Sequence, residues 1–214
     1  MSTQLNEREK IEWGNYWWEN ANTISKRVLL IGDSVTRGYR SSLNRILAER
    51  GYVVDLCALS MSIGDELLLK LLKAFFSVEE YTYEPICLQL GGQHGFGKLC
   101  CESSVERNRF KICYKEIALG LKEKCDNLLI VSSTPTADKE NLEKDNVERN
   151  REIICRNEIA KEVAEEIGCR YIDLWDNILA HGCVHTDYIH FDKAGNEYIA
   201  ELMSEALGYI IDCC

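Results

Sequence analysis

The sequence predicts an α/β domain built on a parallel sheet that helices cover on both faces. Five short runs rich in Val, Ile and Leu recur along the chain, and stretches with apolar residues at helical spacing separate them. Runs that are apolar throughout suit strands buried on both faces, as parallel strands are. The length of 214 residues, 46% of them hydrophobic, is enough for one domain with a full core.

In order, the strands are expected over 27–32, 52–59, 85–91, 127–132 and 170–175. Helices are expected between and after them. Residues 41–50 place Leu43, Ile46 and Leu47 on one face. Residues 65–76 are rich in Leu and Phe, with Lys70 and Lys73 as their polar stripe. Residues 108–124, 147–167 and 193–211 complete the set. No repeat, low-complexity stretch or Pro/Gly-rich linker interrupts the chain. Residues 1–26 precede the first strand and hold Trp13, Trp17 and Trp18. Trp13 and Trp17 stand one helical turn apart, which predicts an N-terminal helical arm over 1–26 and a main domain over 27–214. Such an arm covers part of the core, or offers an aromatic surface for a homo-oligomer contact or a pocket wall.

The charge balance excludes some functions. The formal net charge is -10, from 35 acidic and 25 basic residues, and no Lys/Arg stripe stands out. A nucleic-acid partner is therefore not expected. No apolar run approaches the ~20 residues that cross a bilayer. The opening "MSTQLNEREKIEWGNYWW" lacks the apolar core of a signal peptide, so the expected location is cytoplasmic. The eleven cysteines include the vicinal pairs Cys100-Cys101 and Cys213-Cys214 but no CxxC, which favours free thiols over a zinc site.

In "VLLIGDSVTRGY", residues 28–39, a buried strand runs straight into Gly32-Asp33-Ser34. Sites in parallel sheets lie beyond the carboxyl ends of the strands, and Ser34 is on that edge. A serine nucleophile needs a base to take its proton and an acid to fix the base's tautomer. "HTDYIHFDKAG", residues 185–195, supplies Asp187 and His190 three apart, just before the last helix. The alternative for this segment alone is a surface turn with Asp192 capping the helix. The sheet order decides between them, because loops after the first and last strands reach the same edge.

Two further segments end there. In "ALSMSIGDE", residues 58–66, Gly64 opens a helix and lets its backbone N–H approach a ligand closely. In "LGGQHGFG", residues 90–97, glycines surround Gln93, whose amide is a hydrogen-bond donor. His181 and His185 share the loop with Asp187 and His190 and could imitate metal ligands, but that reading gives the serine and glycines no role. Arg37 and Tyr39 are candidates to line the cleft, and Ser132-Ser133-Thr134-Pro135 to form a pocket wall or a plain strand-ending turn.

Gly32-Asp33-Ser34, Gly64, the glycine-rich turn and Asp187-x-x-His190 together resemble the SGNH (GDSL-type) hydrolases over residues 27–211. The resemblance implies a three-layer α/β/α fold with a five-stranded, flavodoxin-like parallel sheet, and acyl chemistry with no metal or cofactor. It implies Ser34 as nucleophile, His190 as general base and then acid, and Asp187 as the group orienting His190. It further implies an oxyanion hole from the Ser34 and Gly64 N–H groups and the Gln93 amide. The chain departs from the family in reading Gly91-Gly92-Gln93-His94 where Gly-x-Asn-Asp is usual. The expected function is a serine esterase hydrolysing short-chain, acetyl-type esters of a carbohydrate or another small polar molecule. The alternatives are a thioesterase, lysophospholipase or acyltransferase using the same triad, and a non-catalytic binding module, which Gln93 favours. A flavodoxin-like phosphate binder would need a Gly-rich loop directly after the first strand, which is lacking.

Overall fold

Val28, Leu29, Leu30 and Ile31 are fully buried, and their side chains alternate between two separate hydrophobic clusters. That alternation is the pleat of a strand covered on both faces. The computed structural model describes residues 13–78, 81–94, 100–137 and 145–211. Its elements are β1 (Gly14–Trp17), β2 (Lys26–Gly32), α1 (Ser34–Ala48), β3 (Tyr52–Leu59), α2 (Glu66–Val78) and β4 (Ile86–Leu88). They continue with α3 (Ser104–Lys122), β5 (Leu128–Val131), α4 (Asp145–Ile167), β6 (Arg170–Ile172), α5 (Trp175–His181) and α6 (Lys193–Ile211).

The strand order is β1-β3-β2-β4-β5-β6. Strands β2 to β6 are parallel, as expected, and β1 runs antiparallel along β3. Leu29 and Ile31 face the layer of α2, α3 and α4, with Leu68, Phe75, Phe110 and Ile159. Val28 and Leu30 face α1 and α6, with Tyr39, Leu43, Ile199 and Met203. The result is three layers, with the carboxyl ends of the parallel strands free to carry a site. Among the described residues no helix is long and apolar enough to cross a membrane. The nine described cysteines are all free.

The N-terminal segment corrects the helical-arm expectation. Gly14–Trp17 is a sixth, edge strand, and residues 1–12 lie outside the described residues. A spacing of four puts two residues on one face of a helix and equally on one face of a strand, so Trp13 and Trp17 did not discriminate. Contacts select the strand. Tyr16 donates to the Leu71 carbonyl at 2.8 Å, and Trp18 stacks on Phe75 with centroids 5.0 Å apart. Trp17, on the opposite face, meets the Arg40 guanidinium at 5.2 Å. The buried Arg27 and Asp55 pair at 2.9 Å, and Asp55 also accepts from the Glu19 N–H at 2.8 Å, which pins the connection into β2.

Helix α1 begins at Ser34, well before the expected residue 41, because polar residues and Gly38 mask its first turns. Gly38 sits where α1 crosses α6, and a Cβ there would lie 2.7 Å from Asn196 Oδ1, so that side chain would have to move. Strand β4 is shorter than the 85–91 expected, and α5 was not anticipated, since seven residues carry little helical periodicity.

Candidate active site

The turn from β2 into α1 fixes Ser34. A Cβ on Gly32 would lie 1.9 Å from Thr36 Oγ1, so only glycine lets the helix start this close to the strand end. Asp33 caps the helix, its carboxylate accepting from the Val35 N–H at 2.9 Å. Beneath this turn, Gln89 Oε1 accepts from Thr36 Oγ1 at 2.8 Å and from Tyr39 Oη at 2.9 Å. Gln89 Nε2 donates to the Ser132 carbonyl at 2.8 Å. This buried network locks the first turn of α1 to the ends of β4 and β5. It also takes Tyr39 into the core, so that residue does not line the cleft as suggested.

Asp187 and His190 occupy the loop between α5 and α6. Asp187 Oδ1 accepts from the N–H groups of Ile189 and His190, both at 2.7 Å. Its Oδ2 receives the His190 Nδ1–H at 2.8 Å. Donation through Nδ1 leaves Nε2 as the acceptor, and Ser34 Oγ stands 2.7 Å from it. The structure thus joins the three residues, 156 positions apart along the chain at the serine–histidine contact. Burial opposes the Asp187 charge, but the His190 ring and the two backbone N–H groups outweigh it and hold the carboxyl down at about 2. Burial raises Asp33 above its ordinary value, against the opposing pull of His94 and His190.

Gly64 lies in a turn where the Asp65 N–H donates to the Ser62 carbonyl at 3.0 Å. Its own N–H points at Ser62 Oγ, a long contact of 3.3 Å. The glycine-rich turn packs against this segment. Gly91 adopts φ +85, and a Cβ on it would meet Ile63 Cγ2 at 2.8 Å. Gln93 is buried, and its Nε2 donates to the Thr134 carbonyl at 3.1 Å. One amide hydrogen is therefore committed to protein, while Oε1 is buried with no partner among the described residues.

Side chains from α4 hold this region, and the sequence reading missed them. Arg156, buried beside Glu152, donates from Nη1 to the Gly92 carbonyl at 2.8 Å. Arg149 reaches the Gln93 carbonyl at 3.4 Å. Glu152 accepts from the N–H groups of Cys100 and Cys101 at 3.1 and 3.2 Å. Asn157 exchanges bonds of 2.8 and 3.0 Å with the backbone of Ser133. The available signal was Glu152 and Arg156 four apart among apolar neighbours, a pattern equally typical of a solvated helix face. Ser132, Ser133 and Thr134 are buried scaffold.

The other histidines point into packing. His181 stacks on Tyr198 at 3.6 Å, and His185 Nε2 lies 3.0 Å from the Pro135 carbonyl with its ring against Phe191. Among the described residues no group of His, Cys, Asp and Glu is arranged to hold a metal ion.

No family model matches the chain, and no curated protein matches its sequence. Solved structures do match it. The acetyl xylan esterase AlAXEase superposes with a TM-score of 0.64 at 19% identity, covering 85% of this chain and 99% of its own. The chain has the SGNH hydrolase fold. A protein of Slackia heliotrinireducens proposed to be an SGNH hydrolase matches with TM-score 0.61 at 17% identity, covering 86% of this chain and 100% of its own. A catalytic mutant of Axe2, an acetylxylan esterase from Geobacillus stearothermophilus, matches with TM-score 0.59 at 15% identity, covering 86% and 96%.

Proposed function

We propose that the protein is a serine esterase that removes short acyl groups, acetyl foremost, from esters of a carbohydrate or another small polar alcohol. The observation that carries this reading is the unbroken chain Ser34 Oγ, His190 Nε2, His190 Nδ1, Asp187 Oδ2, with contacts of 2.7 and 2.8 Å. His190 Nε2 takes the Ser34 proton as Oγ attacks the ester carbonyl carbon. The negative charge that develops on the carbonyl oxygen meets the N–H group of Ser34 and the second amide hydrogen of Gln93, and the Gly64 N–H joins them on turning from Ser62 Oγ. Collapse expels the alcohol, protonated by His190, and leaves an acyl-Ser34. Water, deprotonated by His190, then releases the acid. A thioester or lysophospholipid substrate would pass through the same steps, giving the thioesterase and lysophospholipase alternatives, and an alcohol or thiol acceptor in place of water gives the acyltransferase. The acetyl and carbohydrate preference draws support from the fold neighbours described as acetyl xylan esterases.

The committed Gln93 amide favours a second reading, a binding module without turnover. Hydrolysis of p-nitrophenyl acetate separates the two. A rate abolished in Ser34→Ala is expected; equal rates in parent and variant remove the esterase. An acyl-length series, then acetate release from acetylated xylo-oligosaccharides, assigns the substrate.

A further inference from the structure

A groove of about 760 Å³ opens between α4, α5 and the segment leading into Asp187 and His190. Its size suits a small-molecule site. Pro135 and Ala137 line it beside Ile154 of α4, Trp175 and Leu179 of α5, and Val184. Ile154, Leu179 and Val184 are 43, 58 and 62% exposed. Apolar side chains gathered along one trough gain free energy from whatever covers them.

The groove and the acid–base loop are mechanically one piece. The Ala137 N–H donates to the Tyr188 carbonyl at 3.0 Å, and His185 Nε2 lies 3.0 Å from the Pro135 carbonyl. Both bonds join a groove-lining residue across to the partner segment. Val184 in turn accepts the Asp192 N–H at 2.9 Å, closing the loop that presents His190.

Chemistry gives this position a direction. When the tetrahedral adduct collapses, the proton taken from Ser34 leaves His190 Nε2 for the departing alcohol oxygen as the C–O bond breaks. That oxygen must stand on the His190 side of Ser34, away from Gly64 and Gln93. The groove lining reaches His185, in the same loop as His190, which is the side on which an alcohol of more than a few atoms would extend. We propose that the groove binds the alcohol portion of the ester through an apolar face, either an aryl ring or the C–H face of a sugar, against Trp175, Ile154 and Leu179. This rests on the esterase reading above.

The test compares Leu179→Glu with the parent on four esters: methyl acetate, 4-methylumbelliferyl acetate, acetylated xylotriose and p-nitrophenyl octanoate. The substitution is at an exposed position of α5 and leaves Ser34, Asp187 and His190 intact. Methyl acetate, whose alcohol cannot reach the groove, is expected to react within twofold of the parent. KM is expected to rise about tenfold, the effect of losing about 1.4 kcal/mol of contact, on 4-methylumbelliferyl acetate, acetylated xylotriose or both. Which of the two responds separates aryl from sugar. An unchanged KM on both overturns the proposal. So does a loss confined to the octanoate, which would make the groove an acyl site. A parent dimer that Leu179→Glu splits in light scattering also overturns it, in favour of an interface between copies. If no ester is turned over, the esterase reading fails, and fluorescence titration with 4-methylumbelliferone reads the groove directly. Binding that Leu179→Glu abolishes then supports an apolar-ring site, and no binding overturns it.

Discussion

Asp187 and His190 stand in a loop half open to solvent, yet the loop makes its own geometry through three bonds between residues two or three apart. Gly92 and Gln93 are buried, and they are held by contacts to residues 64 and 41 positions away. The first region is specified by a few neighbouring letters and a strand end. The second depends on charges and amides that a different helix places correctly only once the whole sheet has formed. The comparison teaches where precision comes from: local hydrogen bonds set the Asp187–His190 pair, tertiary packing sets the glycine-rich turn.

The largest expected effect breaks the first region alone. Asp187→Asn should cost on the order of 10⁴ in kcat by favouring the wrong imidazole tautomer. Its thermal unfolding midpoint should fall only slightly, because the side chain is 47% exposed and water screens its charge. A large loss of stability would show that the loop is braced from afar after all.

Arg156→Met breaks the second region. It strands Glu152 as a buried charge and frees the Gly92 carbonyl, so urea unfolding should report a loss of about 3–5 kcal/mol. A change below about 1 kcal/mol would mean that α4 does not hold the turn.

Gln93→Ala sharpens the contrast, since this residue belongs to the packed region but is assigned to the chemistry. On p-nitrophenyl acetate, kcat should fall ~10²–10³-fold with KM little changed. Stability loss with unchanged kcat in the folded fraction would reduce Gln93 to a brace for Thr134.

The pH dependence is a smaller effect. The Asp187 carboxyl is lowered from 3.8 to about 2, so its stabilising contribution is present above its unfolded value and is lost as pH falls through about 2. Above pH 4 it stays charged, so Asp187 should add no proton of its own to the acid limb of kcat/KM. A limb of slope two above pH 4 would show Asp187 titrating as well. Asp33 has the opposite sign: burial raises it, so its contribution is present at low pH and lost as pH rises through the raised value. Asp33→Asn, which keeps an oxygen for the Val35 cap, should be the more stable form at pH 7, with the gap closing on acidification. A gap independent of pH in thermal melts would count against a buried charge at that position.

Much of this was legible in the chain. Five parallel strands, the closing helix over 193–211 and the meeting of Ser34, Asp187 and His190 follow from apolar runs and from which loops share an edge. The illegible parts have physical causes. The spacing of Trp13 and Trp17 satisfies both helical and strand periods, and only the packing of Tyr16 and Trp18 on α2 chose the strand. Tyr39 looked like a cleft residue until Gln89 drew its hydroxyl inward. Glu152 and Arg156 looked like a solvated pair because sequence records their separation and not which face of α4 is buried.

The tight seat of Gly92 against Ser133 has a consequence for how this chain can diverge. A methyl group at 92 would fall 1.6 Å from the Ser133 hydroxyl and 2.0 Å from its Cβ, so trimming the serine to alanine makes no room. Descendants could place a side chain at 92 only by baring position 133 to glycine, and the two sites should therefore change in tandem or not at all.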